Sequence, residues 1–233
     1  MATSRPATAI APGAGYQTKI GAASLAVGPL LMAVGDLLHP KESADLGRQA
    51  AIIAEQPTRW YLAHLLLFLG LVVVVPGLLT LTGLAAARRP RAGYLARVLL
   101  VVGVAGSGAI FVAEMLVGRF GSLGAAATEE LLDTMFSGPI AGPMIPVAAA
   151  FFVGATVGAV ALIAGSGPLR WPALALLAGT LLILAEIISS QVLLSQVGNL
   201  LVWGGGVGIA WLLVRGEVGA PAGARAGKAL PAG

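Results

Sequence analysis

The stretch GDLLHPKESADLGRQAAIIAEQPTRWYLAH, residues 35–64, decides the fold. It contains the end of one apolar run, a charged connection and the start of a second apolar run. Pro40 stops the first run, because a proline disfavours helical geometry in the residue before it. Ser43 and the ADLGRQAAIIAEQ segment after it predict a short interfacial helix ending before Pro57. Trp60 and Tyr61, residue types that favour the headgroup region, open the second run.

Further runs of about 20 apolar residues recur outward from this stretch, each long enough to cross roughly 30 Å of hydrocarbon as a helix. Spans are predicted over about 20–39, 60–84 and 94–117, then a fourth that follows Pro143 and Pro146 to about 165, then 171–190 and 195–214. Pro76 is expected to kink the second span. Gly154 and Gly158 stand at GxxxG spacing, a close-packing signal. Between the third and fourth spans, TEELLDTMF predicts a short surface helix capped by Thr128, with Glu129, Glu130 and Asp133 on a solvated face.

Composition agrees. Of 233 residues, 58% are hydrophobic and 10% charged, with a mean hydropathy of +0.92, against roughly 25% charged in soluble chains. The dyad alternation of a transmembrane β-barrel is absent. The fold class is therefore all-α: a polytopic transmembrane bundle of six spans over residues 19–215, with flexible tails at 1–18 and 216–233. The first run, Ile20 to Leu38, is longer than a signal-peptide core and lacks a small-residue cleavage site, so it reads as a retained helix. With no cysteine, disulfides, thiolate metal sites and cysteine nucleophiles are excluded together.

The net charge of +4 does not indicate nucleic acid, because the basic residues sit at span ends and in the tails. Arg5, Lys19, Arg88, Arg89, Arg91, Arg170, Arg215, Arg225 and Lys228 share one face, with Arg97 able to reach it. Lys41, Arg48, Arg59 and Arg119 share the other. The positive-inside rule then places both termini in the cytoplasm of a cell in whose plasma membrane the protein resides.

This topology brings the polar residues to one level. Asp36, Glu114 and Glu186 fall near the outward ends of spans one, three and five, and His64 and Asn199 near the outward starts of spans two and six. The carboxyls stand at the negative ends of their helix dipoles, where anions are disfavoured. Such a layer suits proton transfer, cation binding or a divalent metal, and ionisable groups inside a membrane are functional candidates. Asp36, Glu114, Glu186 and His64 are the candidate catalytic groups, and Trp60 and Asn199 the candidate substrate contacts. Asp36-x-x-His39 presents both side chains on one helix face, so His39, His64 and Asp36 are the candidate metal ligands. Asp36 also has Arg59 and Lys41 within reach as alternative partners. HExxH, P-loop, GxSxG and HxxxH motifs are absent.

GDLLHP (35–40), QPTRWYLAHLLLFLG (56–70) and VPGLLTL (75–81) resemble the opening of a group of uncharacterised multi-pass membrane proteins of high-GC Gram-positive bacteria. The resemblance is concentrated in Asp36, His39, Pro40, Trp60 and His64, and it brings no activity with it. In size and chemistry the chain also resembles integral-membrane terpene cyclases, which implies carboxyls protonating an isoprenoid. The leading expectation is an acid–base enzyme acting on an isoprenoid or lipid that enters from the bilayer, with the small residues of spans three, four and six leaving room for it. A proton- or cation-coupled transporter and a non-catalytic membrane subunit are the alternatives.

Overall fold

The computed structural model describes residues 13–41, 43, 45–136, 141–165, 167–189 and 191–218. Most of both expected tails lies outside these residues. Among them the chain forms α1 (Gly13–Leu38), α2 (Leu46–Glu55), α3 (Pro57–Arg88), α4 (Pro90–Phe120), a short 3-10 turn (Gly121–Leu123), α5 (Ala125–Phe136), α6 (Ala141–Ile163), α7 (Arg170–Ser189) and α8 (Val192–Val214). Six of these helices, α1, α3, α4, α6, α7 and α8, are long and apolar enough to cross a membrane.

Two spans are longer than their apolar runs. Pro57 and Pro90 occupy the first turns of α3 and α4, where a proline's missing N–H costs no hydrogen bond and its fixed φ suits the helix. The connection between these helices therefore shrinks to Arg89, and the basic cluster rides on helix ends. At 32 and 31 residues, the two helices extend roughly 48 and 46 Å, beyond the hydrocarbon thickness. Helix α3 runs unbroken through Pro76, and α6 begins before Pro143 and contains Pro146.

The spans pack in a closed ring in the order α1, α3, α4, α6, α7, α8 and back to α1, with α3 also reaching α6. Since lipid tails are as apolar as leucine, close backbone approach and packing hold such a ring together rather than water exclusion. Gly154 supplies such an approach: a Cβ there would stand 2.8 Å from the Leu100 nitrogen and 3.0 Å from the Ala96 carbonyl of α4. Gly103 meets the Phe151 backbone, and Gly206 the Leu25 carbonyl. These small residues are spent on helix contact. Large apolar side chains line most of the interior space, and Ser107, Ala155 and Gly206 of the third, fourth and sixth spans border it as well.

At the arginine-bearing end, Leu25, Leu81, Leu162, Leu169, Ile209 and Leu213 close the ring in a buried cluster. Arg97 reaches from α4 to Thr82 Oγ1 of α3 at 3.3 Å. At the opposite end α2 and α5 pack on each other and on the 3-10 turn, forming a lid. The interfacial helix of the first connection is present, capped by Asp45, whose Oδ1 accepts from the Arg48 N–H at 2.7 Å. Thr128 is not the cap expected of it. Helix α5 starts three residues earlier, and the fully buried Thr128 hydroxyl donates back to the Gly124 carbonyl at 2.9 Å.

Candidate functional site

The ring encloses a cavity of about 250 Å³ to which all six spans contribute. Most of its wall is apolar, including Leu67, Leu71, Phe151, Phe152, Leu176 and Ile183. Polar groups gather where α1, α7 and α8 turn toward the lid: Asp36, Glu186, Ser195 and Asn199. A greasy chamber with a few convergent polar groups is the common form of a small-molecule site.

Helix α8 holds the Asp36 carboxylate. Ser195 and Asn199 stand one turn apart on it, so both side chains point to one face. Both hydrogen-bond Asp36, Ser195 Oγ at 3.3 Å from Oδ2. The same hydroxyl lies 2.9 Å from the Val192 carbonyl. A hydroxyl carries a single proton, so the carboxyl and the carbonyl compete for it. Ser195 therefore holds the Asp36 carboxyl by a bond that the nearer Val192 carbonyl weakens. The alternative pairing of Asp36 with Arg59 does not form; Arg59 donates to the Leu38 carbonyl at 2.7 Å and to Gln56 at 2.9 Å. A cation on the exposed carbonyls at the end of α1 is favoured by the helix dipole.

A second polar group adjoins the first, one helical turn along α1. The rings of His39, Trp60 and His64 form a triangle with centroid separations of 4.5, 4.7 and 4.9 Å, and Phe111 stands 6.3 Å beyond His64. His39 Nε2 and His64 Nε2 face each other at 3.3 Å. Each ring's Nδ1 is bound to a backbone carbonyl, His39 to Pro40 at 2.8 Å and His64 to Trp60 at 3.0 Å. Burial lowers the pKa of His39 below its ordinary value, an effect that the charge of Asp36 partly opposes.

Trp60 is not the headgroup anchor its residue type predicts. It is 2% exposed, sealed by Ile53, Val117 and Leu132 of the lid cluster, and its indole N–H donates to Glu114 Oε2 at 3.2 Å. Gly118 lets α4 come this close, since a Cβ there would stand 2.9 Å from Trp60 Cδ1.

The expected single layer is thus two adjoining sets. Asp36, Asn199 and Glu186 border the cavity, while His39, His64, Trp60 and Glu114 lie beside it, outside its lining. Among the described residues, no group of three or more His, Asp and Glu is gathered in metal-ligand position, and the Asp36 carboxylate turns to Ser195 and Asn199. Ser195 escaped the sequence reading, although its position one turn before Asn199 is a readable signal. Phe111 and the direct contact between the histidines were missed as well.

The fold and site define an all-α, multi-pass membrane protein with a polar-ended interior cavity. Comparison with protein families, curated proteins and solved structures finds no match, so neither resemblance seen in the sequence gains support there.

Proposed function

We propose that this protein is a membrane-embedded acid–base enzyme whose substrate is a single-chain amphiphile, an isoprenoid or a lipid. The supporting observation is the cavity, walled by all six spans, mostly apolar, with its ionisable groups, Asp36 and Glu186, at the end that also bears Ser195 and Asn199. Its volume of about 250 Å³ lies just under the roughly 300–1,000 Å³ of ordinary ligand pockets. That suits one hydrocarbon chain and excludes a two-chain lipid. The polar end of the substrate meets Asp36 and Glu186, and its chain extends along Leu67, Leu71 and Phe151.

Asp36, fastened by hydrogen bonds from Ser195 and Asn199 at the edge of the cavity, is the better-positioned acid or base. Glu186, on the other side of α8, is the second member of the pair. Two carboxyls in different environments can divide the work of donating and accepting a proton. Glu114, committed to Trp60 outside the cavity lining, serves the architecture of the neighbouring set. The excess of Lys and Arg on the face opposite the lid orients the lid outward, with both termini cytoplasmic.

The test incubates the purified full chain with a panel of isoprenoid alcohols, isoprenoid diphosphates and fatty acids and identifies products by mass. Conversion by the wild type, lost by at least tenfold in folded Asp36→Asn and Glu186→Gln variants, supports the reading. Full turnover in both variants, or no conversion of any panel member, overturns it.

A further inference from the structure

A second concavity lies at the arginine-bearing end, on the outer surface of the ring. An open groove of about 670 Å³ runs between the first turn of α4 and the last turns of α6. The small side chains of Ala161 and Ala164 keep it concave, and Val157 and Val160 continue its floor along α6. Val160 is 49% exposed, so in a bilayer this floor faces hydrocarbon. Arg89 and Arg91 form the mouth, where long basic side chains cover apolar surface with their stems and keep their charged heads at headgroup level. Arg88 of α3 lies against Gly165, two residues beyond α6, so a third guanidinium group stands beside the mouth. Among the described residues no carboxylate pairs with these three arginines; Glu217, the acid at this end, pairs with Arg215 at 3.8 Å. Helix α4 also begins here without a side-chain cap, and its dipole adds positive potential.

We infer that the α4–α6 groove binds one anionic phospholipid, with its phosphate on Arg89 and Arg91 and an acyl chain along Val157 and Val160. A guanidinium group offers phosphate two parallel N–H donors. A free anion would use the arginines alone, whereas the groove adds an apolar channel that starts at those charges and continues into the hydrocarbon. That continuity selects a lipid. A choline headgroup would bring its own cation to the arginines, so an anionic headgroup is favoured. Anionic lipid attracts a basic residue near the surface by roughly fivefold, or about 25-fold for the pair. The groove shares no lining residue with the interior cavity, so this site stands apart from the acid–base reading.

The site is tested by native mass spectrometry of the purified full-length protein in mild detergent, titrated with dioleoyl phosphatidylglycerol or dioleoyl phosphatidylcholine. The expected result is one tightly held phosphatidylglycerol per chain, preferred over phosphatidylcholine by about 25-fold. The double variant Arg89→Gln/Arg91→Gln should lose that preference. Ala164→Trp, which fills the groove from an exposed position, should weaken retention at least fivefold. Arg170→Gln, at the same end but outside the lining, should retain the lipid. Should the double variant fail to fold, the wild-type preference and Ala164→Trp decide. Equal retention of the two lipids, or binding unaltered in both groove variants, overturns the site. So does an equal loss in Arg170→Gln, which would mark a general surface field, or displacement by an equal concentration of glycerol phosphate, which has no acyl chain. Ala155→Trp, which fills the interior cavity, should keep the phospholipid; its loss there would place the lipid in the cavity and overturn the groove. The lipid is read without turnover, so this outcome is separate from that of the acid–base reading.

Discussion

The indole N–H of Trp60 donates to Glu114 Oε2 at 3.2 Å, joining the first turns of α3 to α4 beneath the lid. On its other side the same ring packs against both histidines. One side chain therefore ties the lid, two spans and the imidazole pair together.

This bond should be measurable as a coupling energy. Trp60→Phe and Glu114→Gln should each lower stability in detergent, and their double-mutant cycle should show a coupling on the order of 1 kcal/mol. Trp60→Ala, which empties a buried site, should cost about 3–5 kcal/mol. Strict additivity of the two conservative variants in thermal unfolding would show that the bond contributes nothing.

The ring depends on close approach at particular glycines. Gly154→Ala would place a Cβ 2.8 Å from the Leu100 nitrogen, whereas a Cβ at Gly204 meets nothing within 4 Å. The first should therefore cost about 1–3 kcal/mol through overpacking, and Gly204→Ala should match or slightly exceed the wild type. Thermal unfolding and size-exclusion profiles compare them directly; equal stabilities would remove the argument for α4–α6 contact at Gly154.

The lid should loosen when its cap is removed. Asp45→Ala deletes the acceptor of the Arg48 N–H, a loss of about 1 kcal/mol. Amide exchange should accelerate over Leu46–Glu55 and leave the spans unchanged. Unaltered exchange in α2 would mean that the cap does not hold the lid.

Because the chain contains no cysteine, single substitutions report topology cleanly. Ser122→Cys on the lid face should react with a membrane-impermeant maleimide in intact cells. Pro168→Cys, exposed on the arginine face, should react only after permeabilisation. The reverse pattern would invert the orientation.

Apolar run length and prolines made the six spans and the first lid helix readable. The ends of α3 and α4 were not, because Pro57 and Pro90 begin helices as readily as they end them, and arginines extend a helix past its apolar run. The level of Asp36, His64, Glu114, Glu186 and Asn199 was legible from their distances to span ends. Their division into two sets was not, since helical periodicity gives a face but not the helix that face meets. Asp36 turns to α8 and His39 to α3 because α1 lies between those helices in the ring. Trp60 misled for a related reason: its type favours the membrane surface, but the lid covers it there.

The central claim is that the cavity between the six spans holds one apolar chain with its polar end at Asp36. Native mass spectrometry of the full-length protein, released from membranes with a mild detergent, tests it most directly when the wild type is compared with Ala155→Trp, which fills the cavity. The account predicts one single-chain amphiphile per wild-type chain and its absence from the folded variant. A wild type that carries no such molecule, or a variant that retains it at equal occupancy, would contradict it.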